Sequence, residues 1–349
     1  MNSDNKLSFI PERYIALASE YPKLSICRVV SQQKGQYTII SHAGEQRASV
    51  SGRLQHEAKT VSEYPTVGDY VMAELNYPGA AVIRHLLPRK GVFMRKAAGT
   101  ARTEQPVAAN IDTVFLCMSL NNDFNLRRLE RYLSIAWDSG AKPVVVFTKS
   151  DLCMDIEHKL SQAQSVAIGA DIVVTSAMDN DGYASIMPYI KEGVTVAFVG
   201  SSGVGKSTLI NKLLGGERLA TNGLRNDDKG RHTTTHRELI ALPCGAMVID
   251  TPGMRELGIW DSAEGVSVAF ADIEELASHC RFRNCTHTRE PGCAVRAALQ
   301  SGELNGERFD YYKKLLAENA YAGDSDSYAI AKQKKSKEIA KFNKSNRKQ

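Results

Sequence analysis

A chain of 349 residues, 43% of them hydrophobic and 24% charged, has room for two or three domains and at least one sizeable core. No apolar run approaches the ~20 residues of a membrane span, and the polar start from Met1 to Lys6 leads into no apolar signal core. Membrane insertion and export are therefore not expected, and a cytoplasmic location is. Seven cysteines, three of them gathered with a histidine between Cys280 and Cys293, favour a reducing compartment and a metal over a disulfide framework.

The net charge of +5 hides an asymmetry. Residues 331–349 carry eight lysines and arginines against Glu338 alone, which leaves the other 330 residues at −2. A short basic tail of this kind is read either as a solvated segment or as a contact for a polyanion.

After a short amphipathic lead, strand-like runs follow one another closely. Ile26 to Val30, Tyr37 to Ile40, Tyr70 to Met72 and Ala81 to Ile83 are separated by turn residues such as Gly35 and Gly68. The pattern suggests a small β-barrel, of oligonucleotide-binding type or similar. Residues 97–109 are short of large apolar groups and read as a linker. Strands and amphipathic helices then alternate, as in a parallel sheet with crossover helices. The strand runs are Thr113 to Met118, Pro143 to Thr148, Asp171 to Thr175, Val194 to Val199 and Ala246 to Asp250. Helices are expected over Leu126 to Ala136, with Leu129, Leu133 and Ala136 on one side, over Lys206 to Leu214, and over Glu307 to Glu318.

Gly200-Ser201-Ser202-Gly203-Val204-Gly205-Lys206-Ser207, followed by Thr208, stands between an apolar strand and a helix, the context a phosphate-binding loop requires. Its glycines admit backbone N–H groups to the phosphates, Lys206 reaches the β and γ positions, and the Ser207 hydroxyl ligates Mg²⁺. Asp250, at a strand end three residues before Gly253, is the companion element for Mg²⁺ and the γ-phosphate. One threonine of Thr233, Thr234 and Thr235 is expected to complete the Mg²⁺ shell, with Thr234 favoured. The choice of base rests on Thr148-Lys149-Ser150-Asp151. A carboxylate at Asp151 pairs with guanine N1–H and its exocyclic amine, whereas adenine would leave it unpaired. Ser176 and Ala177, at the end of the next strand, fit the loop that meets the base edge. Many GTPases carry Asn where this chain has Thr148.

The order of these elements is rotated: the base-recognition tetrad precedes the phosphate loop, which in ordinary small GTPases opens the domain. Where such enzymes place a water-orienting glutamine after the glycine, this chain has Met254. Slow intrinsic turnover or an external catalytic group follows, with His232 the best internal candidate. Cys280, Cys285, His287 and Cys293 supply three thiolates and one imidazole, enough for a closed tetrahedral Zn²⁺ with a structural role; His279 is the alternative imidazole. Cys27, Cys117, Cys153 and Cys244 read as small core residues. Between Asn76 and Thr103 there is no acid, while Arg84, Arg89, Lys90, Arg95, Lys96 and Arg102 are basic, and Arg281, Arg283, Arg289 and Arg296 surround the cysteines. With the tail, these regions read as a footprint for a nucleic-acid backbone.

The rotated motif order, Phe124-Asn125-Leu126-Arg127-Arg128-Leu129-Glu130-Arg131-Tyr132, Gly230-Arg231-His232-Thr233-Thr234-Thr235, Asp250-Thr251-Pro252-Gly253 and the cysteine–histidine spacing together resemble the ribosome small subunit-dependent GTPase A family. The resemblance implies an α/β fold: a circularly permuted P-loop GTPase domain flanked by an oligonucleotide-binding barrel and a mostly helical zinc domain. The expected boundaries are a lead at 1–23, the barrel at 24–96, the linker at 97–109, the GTPase domain at 110–262, the zinc domain at 263–330 and the tail at 331–349. It also implies GTP hydrolysis stimulated by the small (30S) ribosomal subunit, binding to its rRNA late in assembly, and release on hydrolysis. The other expectations are GTP and GDP as ligands, one Zn²⁺, Mg²⁺ with the nucleotide, no membrane, and a monomer. A nucleotide-gated RNA-binding module with incidental turnover is the competing reading.

Overall fold

The computed structural model describes residues 10–33, 35–96, 104–121, 123–176, 182–216, 237–250, 266, 267 and 269–323, the side chains of 96, 104, 237 and 317–323 excepted. The chain divides into two compact units between Trp260 and Asp261.

In the first unit, strands β1 (Ser25–Gln33), β2 (Gln36–Ser41), β3 (Gly44–Val50), β4 (Tyr70–Glu74) and β5 (Ala81–Leu86) close a barrel in the order β1-β2-β3-β5-β4. Pairing of β1 with β4 completes the ring, and β3 runs parallel to β5. This is the five-stranded oligonucleotide-binding topology. β3 has the sequence Gly-Glu-Gln-Arg-Ala-Ser-Val, in which only alternate side chains turn inward, so its apolar content is too low to announce a strand. Inside lie Cys27, Val29, Tyr37, Ile39, Val71 and Ile83. Helix α1 (Glu12–Ala18) contributes Tyr14, whose ring stacks on Tyr70 at 4.2 Å between centroids, while helix α2 (Gly52–Glu57) is capped by Ser51 Oγ accepting from Leu54 N–H.

Residues 104–109, expected within a linker, instead form strand β7 (Glu104–Ala109), antiparallel to β6 (Val92–Lys96), with Val107, Ala108 and Ala109 fully buried. Small apolar residues are what the site admits. Gly68, at φ +92°, sits so tightly against the Ala109 carbonyl that an added Cβ would lie 2.1 Å from its oxygen.

The α/β part holds β8 (Thr113–Ser119), β9 (Lys142–Thr148), β10 (Asp171–Val174), β11 (Thr195–Val199), β12 (Arg237–Ala241) and β13 (Met247–Asp250). Their order is β10-β9-β8-β11-β13-β12, parallel except for the antiparallel β12. Helix α3 (Leu126–Asp138) buries Leu129, Leu133 and Ala136, as its periodicity predicts, and opens on Asn125, whose Oδ1 accepts from Arg128 N–H. Helices α4 (Ile156–Gln164) and α5 (Lys206–Leu214) follow β9 and β11.

Barrel and α/β sheet are not separate bodies. β12 pairs with β1 at Ser31↔Glu238 and Gln32↔Arg237, so one eleven-stranded sheet runs through both. Arg28, only 2% exposed, lies at that seam. Its guanidinium donates to Thr195 Oγ1 at 2.7 Å and lies over the Tyr70 ring.

The second unit is helical among the described residues: α6 (Ala271–Ser278), α7 (Ala294–Ser301) and α8 (Gly306–Gly323). Phe270, Ile273, Val295, Phe309, Tyr312 and Leu315 are buried. Arg308 forks onto Asp272 at 2.7 and 3.0 Å. Among the described residues no helix is long and apolar enough to cross a membrane.

Truncating Arg28 leaves a cavity and an unpaired Thr195 hydroxyl at the seam. Arg28→Ala is expected to lower unfolding stability by about 2–4 kcal/mol, and the volume-keeping Arg28→Met by roughly half as much, in urea titrations of the whole chain.

Candidate functional site

The strand order places a topological switch point between β8 and β11. The chain runs outward from β8 through β9 to β10, then returns to β11 and runs outward on the other side. Loops at the carboxyl ends of such strands diverge and leave a crevice, which is where open α/β sheets bind ligands. The loop after β11 is Gly200 to Gly205, β9 ends at Thr148 and its loop begins at Lys149, and Ser176 follows β10.

The glycines of the phosphate loop are conformational necessities. Gly200 has φ +150°, and a Cβ there would stand 2.2 Å from the Cys117 carbonyl oxygen on neighbouring β8; Gly203 and Gly205 have φ +77° and +103°. Val204 is buried beneath the loop and anchors it to the core. Lys206, 7% exposed, donates from Nζ to the carbonyls of Gly200 and Ser201 at 2.6 and 2.5 Å, so its ammonium lies inside the loop's own curve. Ser207 and Thr208 stand in the first turn of α5, whose free N–H groups face the loop.

Thr148, where many GTPases carry asparagine, has a defined partner. Its side chain, 4% exposed, donates from Oγ1 to the Val204 carbonyl at 2.6 Å. A hydroxyl thus ties the loop after β9 to the phosphate loop. Lys149 follows in the left-handed region at φ 56°, which turns the chain sharply enough to present Ser150 and Asp151 in a short 3₁₀ turn. Asp151 Oδ1 accepts from Ser176 Oγ at 2.7 Å, so one serine fixes the carboxylate's orientation.

A further contact on the loop was not anticipated from the residues. Arg128, in the first turn of α3, donates from one terminal nitrogen to both Ser201 Oγ and Asp123 Oδ1. Tyr132, one turn later, bears on the same serine hydroxyl, and burial pushes its own hydroxyl above the usual phenol range. The only sequence signal was the Phe124 to Tyr132 run, which carries a family likeness but no chemistry. Cys117, beneath Gly200, is pushed up to about 12 by burial and is inert.

In the second unit Cys280, Cys285, His287 and Cys293 place their ligand atoms within 4.8 Å of one another. Cys280 Sγ lies 3.8 Å from Cys293 Sγ, and His287 Nδ1 lies 3.6 and 3.4 Å from those sulfurs. A tetrahedral ion with bonds of about 2.3 Å to sulfur and 2.0–2.1 Å to nitrogen has edges of about 3.8 and 3.6 Å. The four side chains therefore fit one metal ion. His287 reaches it from a left-handed backbone, φ 59°, a conformation that a non-glycine residue holds only when its surroundings demand it. His279 is not part of the group.

Two expectations need correction. Arg84, Arg89 and Lys90 are ion-paired, to Glu74, Asp69 and Asp112 at 2.6, 2.7 and 2.7 Å. Arg89 also donates to the carbonyls of Ser62 and Tyr64 and is a structural residue; the acids come from distant positions, so the acid-free run gave no hint of them. Cys244 is exposed and Cys153 half-buried, because both lie in turns rather than in strands like Cys27 and Cys117. Ala177, His232, Thr233, Thr234, Thr235, Gly253 and Met254 lie outside the described residues, whereas Asp250 ends β13 as expected.

A family model described as RsgA GTPase matches residues 86–260. A protein of Lactiplantibacillus plantarum named small ribosomal subunit biogenesis GTPase RsgA 2 is 51% identical over 297 residues, covering 85% of this chain and 84% of its own. The crystal structure of YjeQ from Thermotoga maritima is similar at TM-score 0.63 and 26% identity, over 85% of this chain and 99% of that one. That of YloQ, a circularly permuted GTPase, is similar at TM-score 0.61 and 27% identity, over 86% and 96%. A permuted switch-point sheet, a phosphate loop at its centre and these similarities have one reading: the chain belongs to the RsgA GTPase family and is a circularly permuted GTP hydrolase.

Proposed function

We propose that this GTPase acts in biogenesis of the small ribosomal subunit, in the cytoplasm and as a monomer, binding rRNA through its flanking parts and leaving when subunit-stimulated hydrolysis occurs. The assignment to that particle rests on the printed name of the L. plantarum relative. The nucleotide reading rests on the Thr148 hydroxyl that joins the base-side loop to the phosphate loop, which supports one ligand spanning both.

In this reading Gly200 to Ser207 and Thr208 hold the phosphates. Lys206 leaves the Gly200 and Ser201 carbonyls for the β- and γ-phosphates, and Asp151, oriented by Ser176, pairs with guanine. Thr148, Lys149, Ser150 and Ala177 frame the base. Ser207 and Asp250, with Thr234, would hold Mg²⁺, which would supply neutralising charge at the phosphate oxygens. His232 orients the attacking water where Met254 cannot, and Gly253 meets the γ-phosphate. Zn²⁺ is the metal of the Cys280, Cys285, His287 and Cys293 group. Four protein ligands leave it no open position, so it serves folding rather than chemistry. The barrel's topology and the arginines around the metal group, Arg281, Arg283, Arg289 and Arg296, support an RNA partner.

Three outcomes are expected. Asp151→Asn should shift preference from guanosine to xanthosine diphosphate by at least about tenfold in calorimetric titration; unchanged GDP affinity would remove the base assignment. Protein purified without chelator should hold one zinc per chain, and Cys293→Ala should lose both the zinc and the helical signal of the second unit; elemental analysis decides. GTP turnover should be slow alone and accelerated at least about 10²-fold by purified small subunits, with His232→Ala removing most of that gain and sparing GTP affinity. Equal turnover with and without subunits would end the ribosomal reading.

A further inference from the structure

Two cations converge on Ser201. Lys206 donates to its carbonyl at 2.5 Å, and Arg128 donates to its side-chain hydroxyl from the outer side of the loop. In the reading proposed above the Lys206 ammonium answers the β- and γ-phosphates, which puts Gly200 and Ser201, whose carbonyls it holds, beside that end of the nucleotide. The Arg128 guanidinium therefore stands within one residue of where the third phosphate arrives. It comes from α3, an element that follows β8 and lies outside every nucleotide motif of the chain.

The guanidinium is a deliberate fit rather than a surface coincidence. Its side chain is 31% and that of Asp123 23% exposed, the guanidinium is shared between that carboxylate and the loop hydroxyl, and the Tyr132 hydroxyl also bonds to Ser201. Asn125 caps α3 through Arg128 N–H itself, which fixes the backbone from which the arginine starts. Both contacts come from one terminal nitrogen of the rigid, permanently charged fork, whose two N–H groups point in fixed, diverging directions and so meet a hydroxyl and a carboxylate at once.

We propose that Arg128 is a positioning residue that makes the phosphate loop distinguish GTP from GDP. It fixes Ser201 and adds to Lys206 a second positive charge at the γ end, partly offset by Asp123. The γ-phosphate of GTP adds negative charge there that GDP lacks, so the arginine's field favours the triphosphate selectively. The proposal rests on the phosphate-loop assignment made above.

The test is calorimetric titration of the full chain with GDP and with a non-hydrolysable GTP analogue, both with Mg²⁺. Arg128→Ala should weaken the analogue about tenfold and GDP less than about threefold, with the melting temperature little changed. Arg128→Lys, which keeps charge but not the fork, should fall between. Asp123→Asn removes the offsetting charge and should keep or raise the preference for the analogue. A mere brace between α3 and the loop would make Asp123→Asn and Arg128→Ala alike and would cost both nucleotides equally. Either result, or no loss for Arg128→Ala, would overturn the proposal. A Lys206→Ala control that leaves both affinities untouched would sink the phosphate-loop assignment, and the Arg128 proposal with it, whereas an Arg128 failure beside a Lys206→Ala loss would overturn the proposal alone.

Discussion

Everything in the first unit hangs on how strand β1 divides one of its edges. Its first half, Ser25 to Arg28, pairs with β4 and closes the barrel; two residues near its end, Ser31 and Gln32, pair with β12 and carry the sheet onward. Between the halves the register against β2 slips around Val30, a bulge that bends the strand from one sheet direction into the other. At the fork Val29 N–H donates to the Asp69 carbonyl and Gly68 N–H to the Val29 carbonyl, so no backbone group of Val29 is left unmet. Arg28 fills the angle, linking the Gly68 carbonyl of the barrel to Thr195 and Met247 of the α/β strands. The requirement for glycine at 68 follows from that crowding.

The site owes its geometry to a property that rotation of the gene order leaves intact. A parallel sheet fixes which strand ends are neighbours, and β8 lies between β9 and β11 wherever the chain begins. The Thr148 and Cys117 contacts show the consequence at atomic scale. Strand ends far apart in sequence meet through a hydroxyl on a carbonyl and through a glycine pressed on a carbonyl. Threonine performs at 148 a loop-tying task that needs only one donor of the right length, and so the departure from the commoner asparagine costs the crevice nothing visible.

How much of this was legible depended on whether the determining partner was near in sequence. The parallel strands β8, β9, β11 and β13, apolar on both faces, and α3 with its strong periodicity were readable, as was the cysteine group, whose spacing is itself the signal. β3 was not, because it buries alternate small or polar residues such as Gln46 and Ala48. β7 was hidden by Pro106 and by alanines that owe their burial to Gly68, some forty residues away in the chain. The ion pairs of Arg84, Arg89 and Lys90 escaped because their acids, Glu74, Asp69 and Asp112, stand 10, 20 and 22 residues away along the chain, outside the acid-free run.

The divided edge of β1 also sets a timetable. All five barrel strands lie within residues 25–86, so the ring can close on its own hydrogen bonds while the rest of the chain is still being synthesised. The partners of Arg28, by contrast, come from far along the chain: Thr195 of β11 and Met247 of β13 lie well over a hundred residues beyond it. The seam is thus a joint between distant parts of the chain: it is complete only once β12 and β13, the last strands among the described residues, have joined the sheet that begins at β1.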